Sequence, residues 1–443
     1  MKCSTPKIKY YSAKDIENLP QLSRFSAQER LEMRAVATVL PFRCNNYVVE
    51  QLINWDNVPD DPIYRLTFPH PEMLKPQHLQ QITTLLKQSA SAQTLAPVVT
   101  EIRRQLNPHP AGQKQYNVPK FQANLVPGIQ HKYDQTVLVF PTAGQACHAY
   151  CTFCFRWPQF VKLDQSKFAT RESGQFVDYI RHNPQITDVL FTGGDPMTMT
   201  AKILALYIEP FLQPEFDHIQ TIRIGTKSLS YWPYRYVTDA DADDLLRLFE
   251  KIVQKGKHLA IMAHYEHWKE LSTPIVAQAL QRLRATGAQI RTQAPVIRHV
   301  NDNPEVWATM WQLQVKLGCI PYYMFVERQT GAEHYFEVPL VRTWEIYQKA
   351  IQKVSGLART VRGPVMSALP GKVQIQGITE IAGESVFVLS FLQARYADWV
   401  HRPFLAQFDA EATWLNDLKP ALGDRKFFYE SQLQEILTQK SLA

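Results

Sequence analysis

The sequence predicts an α/β fold, a partial (β/α)6 barrel with a helical N-terminal extension and an irregular C-terminal tail. Between residues 135 and 357, short runs rich in β-branched and aromatic residues alternate with amphipathic segments. After the first run, the starts recur roughly every 30 to 35 residues, about the length of one strand–helix unit. Residues 1–130 break this rhythm and carry helix signals instead. An open doubly wound sheet is the alternative arrangement.

Six segments in this region are strand candidates, because each is short, apolar and bounded by turn residues. They cover 136–140, 187–192, 221–224, 258–262, 289–293 and 321–326. Between the fourth and fifth candidates, Thr273 and Pro274 predict a helix start, and Gly287 predicts its end. Six such units predict a parallel sheet, whose ligand-binding loops lie at the carboxyl ends of the strands.

The N-terminal extension shows helices and proline-rich turns. Ser26 and Glu29 form a capping-box sequence, which predicts a helix start. Helical periodicity recurs over 76–91 and 94–106, and the strand–helix period weakens after about residue 385. We therefore expect a helical extension over 1–130, the partial barrel over 131–385, and a helical, irregular C-terminal extension over 386–443.

Composition and charge argue against nucleic-acid and membrane binding. The formal net charge is +7, from 48 basic and 41 acidic residues, and the basic residues are dispersed. Apolar stretches are too short to span a bilayer, and the polar start lacks the apolar core of a signal peptide. Cys3, Cys44 and Cys319 are scattered without a pairing pattern, so we expect a reducing cytoplasm as the location.

Three further cysteines, Cys147, Cys151 and Cys154, lie in one short segment with C-x3-C-x2-C spacing. One loop, 144–157, can place these thiolates around a soft metal centre, one ligand short of the four that closed iron–sulfur and zinc sites use. The open coordination position indicates a reactive centre. Unreactive buried cysteines are one alternative. A zinc site with His148 as fourth ligand is another, although the adjacent ligands Cys147 and His148 would strain it.

Two glycines and an aspartate follow the second predicted strand. Gly193 and Gly194 permit a close approach of backbone to ligand, and Asp195 can accept hydrogen bonds from an ammonium group. Gly-Gly-Asp is also an ordinary turn sequence. Its predicted position, at the carboxyl end of the strand after the cysteine loop, favours a role in binding the same ligand.

The cysteine spacing and the aromatic Phe153 resemble the cluster loop of radical S-adenosylmethionine (SAM) enzymes. The chain also resembles the lysine 2,3-aminomutase family over roughly residues 50–395. The matching segments are 54–62, 128–133, 144–156, 188–195, 222–225, 300–302, 321–324 and 370–372. The resemblance implies a [4Fe–4S] cluster on the three cysteines, SAM at its open iron and against residues 193–195, and a 5′-deoxyadenosyl radical. It further implies pyridoxal 5′-phosphate (PLP) as a second cofactor.

The resemblance also implies roles for individual side chains. Lys372, which follows a Pro-Gly pair, matches the lysine that holds PLP as a Schiff base. Arg156, two residues beyond Cys154, matches the arginine that binds the substrate carboxylate, a bidentate role suited to guanidinium. Gln293 matches a glutamine that contacts SAM, and a structural role in the barrel is its alternative.

The PLP phosphate has a less complete match. Lys132 and Tyr133 match a basic–aromatic pair beside PLP, but the family arginine that holds the phosphate is replaced by glutamine and threonine at 135 and 136. A phosphate dianion needs positive charge nearby, so Lys132 or Lys227 would have to supply it. The glycine-rich loop before the Schiff-base lysine is also shorter than is usual in the family.

The substrate end departs from the lysine-specific pattern as well. Of the two aspartates that bind the distal ammonium of lysine, the first aligns with Arg328 and the second lies where this chain has Ser367 and Ala368. A cation there disfavours lysine and suits an acidic side chain, because like charges buried together repel. A surface or interface role is the alternative for this arginine. His264 and His267 should face opposite sides of a strand, so we expect no shared metal.

These features predict a radical SAM enzyme, an isomerase that acts as a PLP-dependent 2,3-aminomutase on an α-amino acid other than lysine. The second hypothesis is a PLP-independent enzyme whose radical acts directly on an amino-acid-like substrate, by desaturation, decarboxylation, epimerisation or rearrangement. The third is a non-catalytic metal-binding protein. The expected partners are a small-molecule amino acid, an electron donor such as flavodoxin or ferredoxin, and further copies of the chain in a homo-oligomer.

Overall fold

A computed structural model describes residues 6–107, 116–161, 163, 168–171 and 174–442. Cys3 lies outside these residues. Four helices dominate the N-terminal part: α1 (Ala27–Val39), α2 (Pro62–Thr67), α3 (Pro76–Lys87) and α4 (Ala92–Gln105). Short strand pairs accompany them, β1 (Tyr10–Tyr11) with β2 (Cys44–Asn45), and β3 (Lys120–Phe121) with β4 (Asn124–Leu125).

The sequence signals of the N-terminal helices are confirmed. Ser26 caps α1 by accepting from the backbone N–H of Glu29, whose side chain accepts in return from the backbone N–H of Ser26. The helical patterns over 76–91 and 94–106 correspond to α3 and α4. The extension therefore is mainly helical among its described residues.

The centre of the molecule is one sheet of eleven strands whose order follows the chain. Its first eight strands are β5 (Ile129–Tyr133), β6 (Thr136–Val139), β7 (Asp188–Phe191), β8 (Thr221–Thr226), β9 (His258–His264), β10 (Gln289–Val296), β11 (Ile320–Val326) and β12 (Arg362–Ser367). Strands β6 to β12 are parallel, and β5 runs antiparallel to β6. A doubly wound sheet reverses its strand order at one point, so this sequential order does not support that alternative.

All six predicted strands are present. A seventh parallel strand, β12, was not predicted. Its second and third residues are Gly363 and Pro364, which are turn signals in a sequence and hide the strand. The predicted helix after Thr273 begins at Pro274 and ends at Ala285, and Gly287 follows with a φ of +87°. The apolar face of this helix consists of the buried residues Val276, Ala279, Leu280 and Leu283.

The remaining helices connect the parallel strands and pack beside the sheet. They are α5 (Trp157–Phe160), α6 (Gln175–Arg181), α7 (Ala201–Ile208), α8 (Ser228–Tyr231), α9 (Ala242–Gln254), α10 (Pro274–Ala285), α11 (Pro304–Lys316), α12 (Glu333–Phe336) and α13 (Leu340–Ile351). Their apolar faces and the strands enclose the largest hydrophobic core. In the described parts of the chain, no helix is both long enough and apolar enough to cross a membrane.

The C-terminal part differs from the prediction. Three antiparallel strands extend the sheet beyond β12, namely β13 (Gly371–Ile381), β14 (Glu384–Ala394) and β15 (Pro403–Gln407). The expected boundary at 385 falls inside β14, where Val386, Phe387, Leu389 and Phe391 are buried. The helical, irregular tail is therefore wrong for its first part, because this run is rich in strand-favouring residues. Helix α14 (Glu430–Leu442) follows near the end.

A second hydrophobic core positions the functional loops. It joins α1 to α4 with residues from the loops and short helices beyond the carboxyl ends of the parallel strands, including Ala149, Trp157, Tyr231 and Phe336. The N-terminal helices thus pack on the end of the sheet where ligands bind in parallel α/β folds. The division into three domains at 130 and 385 stays a prediction.

Candidate active site

The loop with the three cysteines (144–157) is fixed by hydrogen bonds from the N-terminal part. The backbone N–H of Thr152 donates to the carbonyl of Leu66 at 2.9 Å. The buried amide of Asn45 donates to the carbonyls of His148 and Tyr231, each at 2.9 Å. These contacts tie the loop to β2, α2 and α8, so its conformation depends on residues far away in sequence.

The Gly-Gly-Asp turn contacts the other side of the same loop. The backbone N–H of Asp195 lies 3.0 Å from the carbonyl oxygen of Gly144 and 2.7 Å from that of Ala146. A Cβ atom on Gly194 would lie 2.6 Å from the carbonyl oxygen of Ala146. The close approach that the glycines permit is therefore made, in part, by the cysteine loop itself.

The three thiols of Cys147, Cys151 and Cys154 are free and lie within electrostatic range of one another. Burial, then Asp195 and the other two thiols, raise the pKa of Cys147 well above its usual range. Burial, and more weakly Cys154, do the same for the pKa of Cys151, whose Sγ lies 3.6 Å from the hydroxyl of Tyr231. Burial also raises the pKa of Cys154 to about 11.

This donor set fits a polynuclear cluster better than a single ion. Thiolates are the ligands that iron–sulfur clusters use, and each cysteine of a cubane binds a different iron. Within the described residues, no three His, Cys, Asp or Glu side chains surround one ion-sized position. The zinc alternative with His148 therefore lacks the required ligand geometry. Cys44 and Cys319 are buried elsewhere, and burial raises the pKa of each to about 12.

The carboxylate of Asp195 is largely engaged within the protein. It accepts from the backbone N–H of Met197 at 2.9 Å, the hydroxyl of Thr226 at 2.7 Å and the backbone N–H of Lys227 at 2.9 Å. Burial raises its pKa to about 6. The backbone N–H of Ser228 also stabilises its charged form. Its contact with the SAM ammonium stays a prediction.

Lys227 has internal partners that argue against one prediction from the sequence. Its ammonium forms ion pairs with the buried carboxylates of Glu266 and Glu270. Coulomb attraction to these carboxylates outweighs burial and raises the pKa of Lys227. Because its charge is already compensated by two carboxylates, this lysine does not supply the missing charge for a phosphate.

The two predicted arginines lie together on one aromatic ring. The guanidinium carbons of Arg156 and Arg328 lie 5.2 and 4.3 Å from the ring centre of Phe155. Arg156 also approaches the carbonyl of Gly193 at 3.5 Å, and Arg328 donates to the hydroxyl of Ser367 at 3.1 Å. Burial lowers the pKa of each arginine to about 10.

Neither of these arginines has a compensating carboxylate. The arginine ion pairs among the described residues involve other guanidinium groups. The adjacent carboxyl of Glu327 is buried, and burial raises its pKa well above the usual range, which favours its neutral form. Arg156 and Arg328 therefore form a half-buried cationic pair that suits an anionic ligand.

Lys372 lies beside this pair, on a strand rather than in the predicted loop. It is the second residue of β13 and pairs with Ser367 of β12, the seventh parallel strand. Its Nζ donates to Oε1 of Gln393 at 2.6 Å and lies 4.9 and 5.7 Å from the ring centres of Tyr323 and Tyr133. Burial, followed by repulsion from nearby arginines, lowers its pKa to about 7.

The other predicted contacts converge on the same region. Nζ of Lys132 donates to the carbonyl of Ala368, in the turn before Lys372. Tyr133 contributes the ring described above, and burial raises the pKa of its hydroxyl. The pair thus lies beside Lys372, as the resemblance implies, while its contact with PLP stays a prediction.

Gln293 and His264 form a pair on neighbouring strands. Nε2 of Gln293 lies 2.8 Å from Nε2 of His264, and burial lowers the pKa of this histidine to about 3. His267 lies beyond the strand and caps a short turn, so the two histidines share no site. Phe153 packs into the N-terminal core, 6.3 Å from the ring of Phe336. SAM contacts of Phe153 and Gln293 stay predictions.

Several residues of the site were not predicted from the sequence. Phe155 directly follows Cys154, so its place in the cysteine loop was evident from the motif, but its contact with both arginines was not. Glu266 follows β9 without a recognisable motif. Gln393 and Arg395 gave no sequence signal, because only the pairing of β13 with β14 brings them close to Lys372.

Comparisons with known proteins find relatives by sequence. The chain is 32% identical over 424 residues to a protein of Aquifex aeolicus named "Putative L-lysine 2,3-aminomutase", and the match covers 95% of this chain and 97% of that protein. It is 28% identical over 232 residues to the L-lysine 2,3-aminomutase of Clostridium subterminale, 52% of each chain. It therefore spans about half of that second relative. No family model matches the sequence.

Solved structures are more distant. A radical SAM methyltransferase from Sphaerobacter thermophilus aligns with 49% of this chain and 63% of its own, at 14% identity and a TM-score of 0.36. SuiB of Streptococcus suis aligns with 64% of this chain and 61% of its own, at 12% identity and a TM-score of 0.34. The fold and the three-cysteine loop define a radical SAM enzyme. The similarity to the Aquifex aeolicus protein places the chain in the lysine 2,3-aminomutase family, of which it is a divergent member.

Proposed function

We propose that this protein is a PLP-dependent radical SAM aminomutase that moves the amino group of a dicarboxylic α-amino acid from C2 to C3. The observation that carries the proposal is the half-buried cationic pair of Arg156 and Arg328 beside Lys372. With it we propose a sheet curved into a partial barrel, an electron donor such as flavodoxin or ferredoxin, a homo-oligomer, and a cytoplasmic location.

The cationic pair explains the choice of substrate. Arg156, beside the Gly193 carbonyl, binds the α-carboxylate, and Arg328 binds the side-chain carboxylate. A dicarboxylate compensates both charges through charge-assisted hydrogen bonds. Lysine would bring another cation next to Arg328, at a site where burial raises the pKa of the neighbouring Glu327 carboxyl and so favours its neutral form. An acidic substrate is therefore favoured over lysine.

Lys372 is suited to hold the carbonyl of PLP. Near pH 7 about half of its side chains are neutral, since burial lowers the pKa to about 7, and a neutral amine is nucleophilic. Tyr133 and Tyr323 provide an aromatic, desolvated surface beside it. The hydrogen bond to Gln393 orients the amine when no ligand is present.

The other cofactors are assigned to the loop and turn described above. Cys147, Cys151 and Cys154 would hold the [4Fe–4S] cluster, and residues 193–195, with Phe153 and Gln293, would hold SAM. When bound, these groups supply the 5′-deoxyadenosyl radical that removes a substrate hydrogen, and PLP supplies the carbonyl that carries the migrating nitrogen. The protein positions the substrate by its carboxylates and keeps water away through the aromatic walls.

Two observations favour a second candidate function, a PLP-independent radical SAM enzyme. Lys372 is held on a strand by Gln393, and residues 135 and 136 replace the family's phosphate arginine. In that case Lys372 would contact a substrate carboxylate directly, and the radical would act on the free amino acid. Under the non-catalytic alternative, the reconstituted protein would not bind about four irons per chain.

The test is an anaerobic incubation of reconstituted protein with SAM, reductant and single amino acids, with and without PLP. The proposal predicts 5′-deoxyadenosine and a β-amino acid from glutamate only when PLP is present, and no isomer from Lys372→Ala. The exposed Lys349→Ala on α13 is the matched control and should keep full activity. Equal turnover without PLP would overturn the proposal in favour of the second candidate.

A further inference from the structure

Four cationic side chains meet at the short turn between β12 and β13, residues 367–371. Arg328 donates to the hydroxyl of Ser367, Lys132 to the carbonyl of Ala368, and Arg395 to the carbonyl of Leu369 at 2.9 Å. Lys372 follows the turn directly. Each of these hydrogen bonds goes to a neutral oxygen. The turn, which we name the cationic turn, therefore concentrates positive charge.

Arg395 is the least expected of the four, since it lies at the end of β14, far from the family motifs. The pairing of Gly371 with Ala394 brings it to the cationic turn, and its own backbone N–H donates to the carbonyl of Pro370 at 3.0 Å. A Cβ atom on Gly371 would lie 2.2 Å from the carbonyl oxygen of Gln393. The glycine therefore permits the close strand approach that places the arginine there.

The guanidinium of Arg395 is held in a defined orientation with donors to spare. Besides Leu369, it donates to the side-chain oxygen of Asn117 at 2.6 Å and to the carbonyl of Tyr116 at 3.4 Å. A guanidinium has five N–H groups, so two have no partner in these contacts. The side chain is half-buried and forms no ion pair with a carboxylate of the described residues.

Tyr133 links this guanidinium to Lys372. The ring of Tyr133 lies 5.7 Å from Nζ of Lys372, while Arg395 and Arg328 both lie within electrostatic range of its hydroxyl. A small molecule that reaches Lys372 across this ring therefore lies near the free donors of Arg395. The ligand that fits has a carbonyl for the lysine and a doubly charged anion for the arginine.

We propose that Arg395, assisted by Lys132, forms the binding site for the phosphate monoester of PLP. The inference rests on the proposed function. It replaces the prediction that Lys227 supplies the charge, since that lysine is paired with Glu266 and Glu270. It also accounts for the glutamine and threonine at 135 and 136, because the positive charge comes from the opposite side of the cationic turn.

The test compares PLP with pyridoxal, which has the same carbonyl but no phosphate. Binding of each to the full-length protein is titrated by absorbance, and the bound carbonyl is trapped on Lys372 with borohydride and mapped. Wild type should bind PLP much more tightly than pyridoxal. Arg395→Gln should weaken PLP binding roughly tenfold to a hundredfold, the range for a charge-assisted contact, with pyridoxal binding unchanged.

Unchanged pyridoxal binding also shows that the variant is folded. Arg395→Lys should recover part of the preference for PLP, and inorganic phosphate should compete with PLP in wild type more strongly than in Arg395→Gln. The exposed Arg402→Gln, whose arginine lies over Phe428, is the control and should match wild type. A variant Arg395→Gln that keeps the full preference for PLP overturns this inference but leaves the proposed function intact. If wild type traps no PLP on Lys372, both fail.

Discussion

The two ends of the candidate site are built differently. The cysteine loop is fixed by neutral hydrogen bonds from the N-terminal helices, from α8 and from the Gly-Gly-Asp turn. At the cationic turn, Arg328, Lys132 and Arg395 donate to neutral oxygens, and Lys372 follows directly. The first end is therefore preorganised before any cofactor binds. The second concentrates positive charge, which anionic groups of a cofactor and a substrate would stabilise.

The largest expected effect is the loss of the cluster from the cysteine loop. Changing Cys147, Cys151 or Cys154 to alanine leaves two thiolates, which are too few to hold the cluster. Each variant should lose its bound iron and the broad visible absorbance of the reconstituted protein. Iron analysis after anaerobic reconstitution measures this loss.

Two cysteines outside the loop serve as controls for that experiment. Cys319→Ala removes a buried thiol apart from the loop, and Cys44→Ala removes one on β2, beside Asn45. Neither is a predicted ligand, so both variants should keep iron near the wild-type level. Full iron content in any loop variant would remove that cysteine from the ligand set.

The next effect lies at the cationic pair. Arg156→Ala removes the guanidinium that we assign to the α-carboxylate and should lower kcat/KM roughly tenfold to a hundredfold, since a charge-assisted hydrogen bond contributes about 1.5–3 kcal/mol. The loss should be similar for every amino acid that turns over, because all share the α-carboxylate. Iron content is the control and should not change. A loss restricted to acidic amino acids would assign Arg156 to the side chain instead.

A smaller effect tests the contact between the two glycines and the cysteine loop. Gly194→Ala places a Cβ atom 2.6 Å from the Ala146 carbonyl oxygen, so the loop must shift, at a cost of about 1–3 kcal/mol. We expect a lower melting temperature and a faster loss of iron to a chelator. Gly356→Ala, where nothing lies within 4 Å of the added atom, is the matched control. Equal iron retention in both variants would contradict the packing argument.

The sequence predicted the first end better than the second for a physical reason. Strands β6 to β11 and the cysteine loop are local patterns, recognisable from alternation and spacing within one segment. The environment of Lys372 depends on the pairing of β12, β13 and β14, and Gly363 and Pro364 concealed the first of these strands. The position of Arg395 depends on the same pairing. Arg156 and Arg328 were predicted singly, but their shared contact with Phe155 was not.

A pH titration measures the pKa of Lys372 at the second end of the site. Trapping of pyridoxal on Lys372 by borohydride requires the neutral amine, which predominates above its pKa of about 7. The trapped fraction should therefore rise as the pH increases through about 7 and level off above it. An exposed lysine would show this rise near pH ~10.4. A midpoint close to that value, measured by peptide mass, would show that burial does not lower the pKa of this lysine.

The most direct test of the account is a competition among substrates. Reconstituted enzyme with SAM, PLP and reductant is given equal amounts of glutamate and lysine, each labelled at its amino nitrogen, and products are identified by NMR. The account predicts the label on C3 of a dicarboxylic amino acid, with lysine unchanged, and a shift of preference towards lysine in Arg328→Asp. Conversion of lysine by wild type, or an unchanged preference in Arg328→Asp, would contradict it.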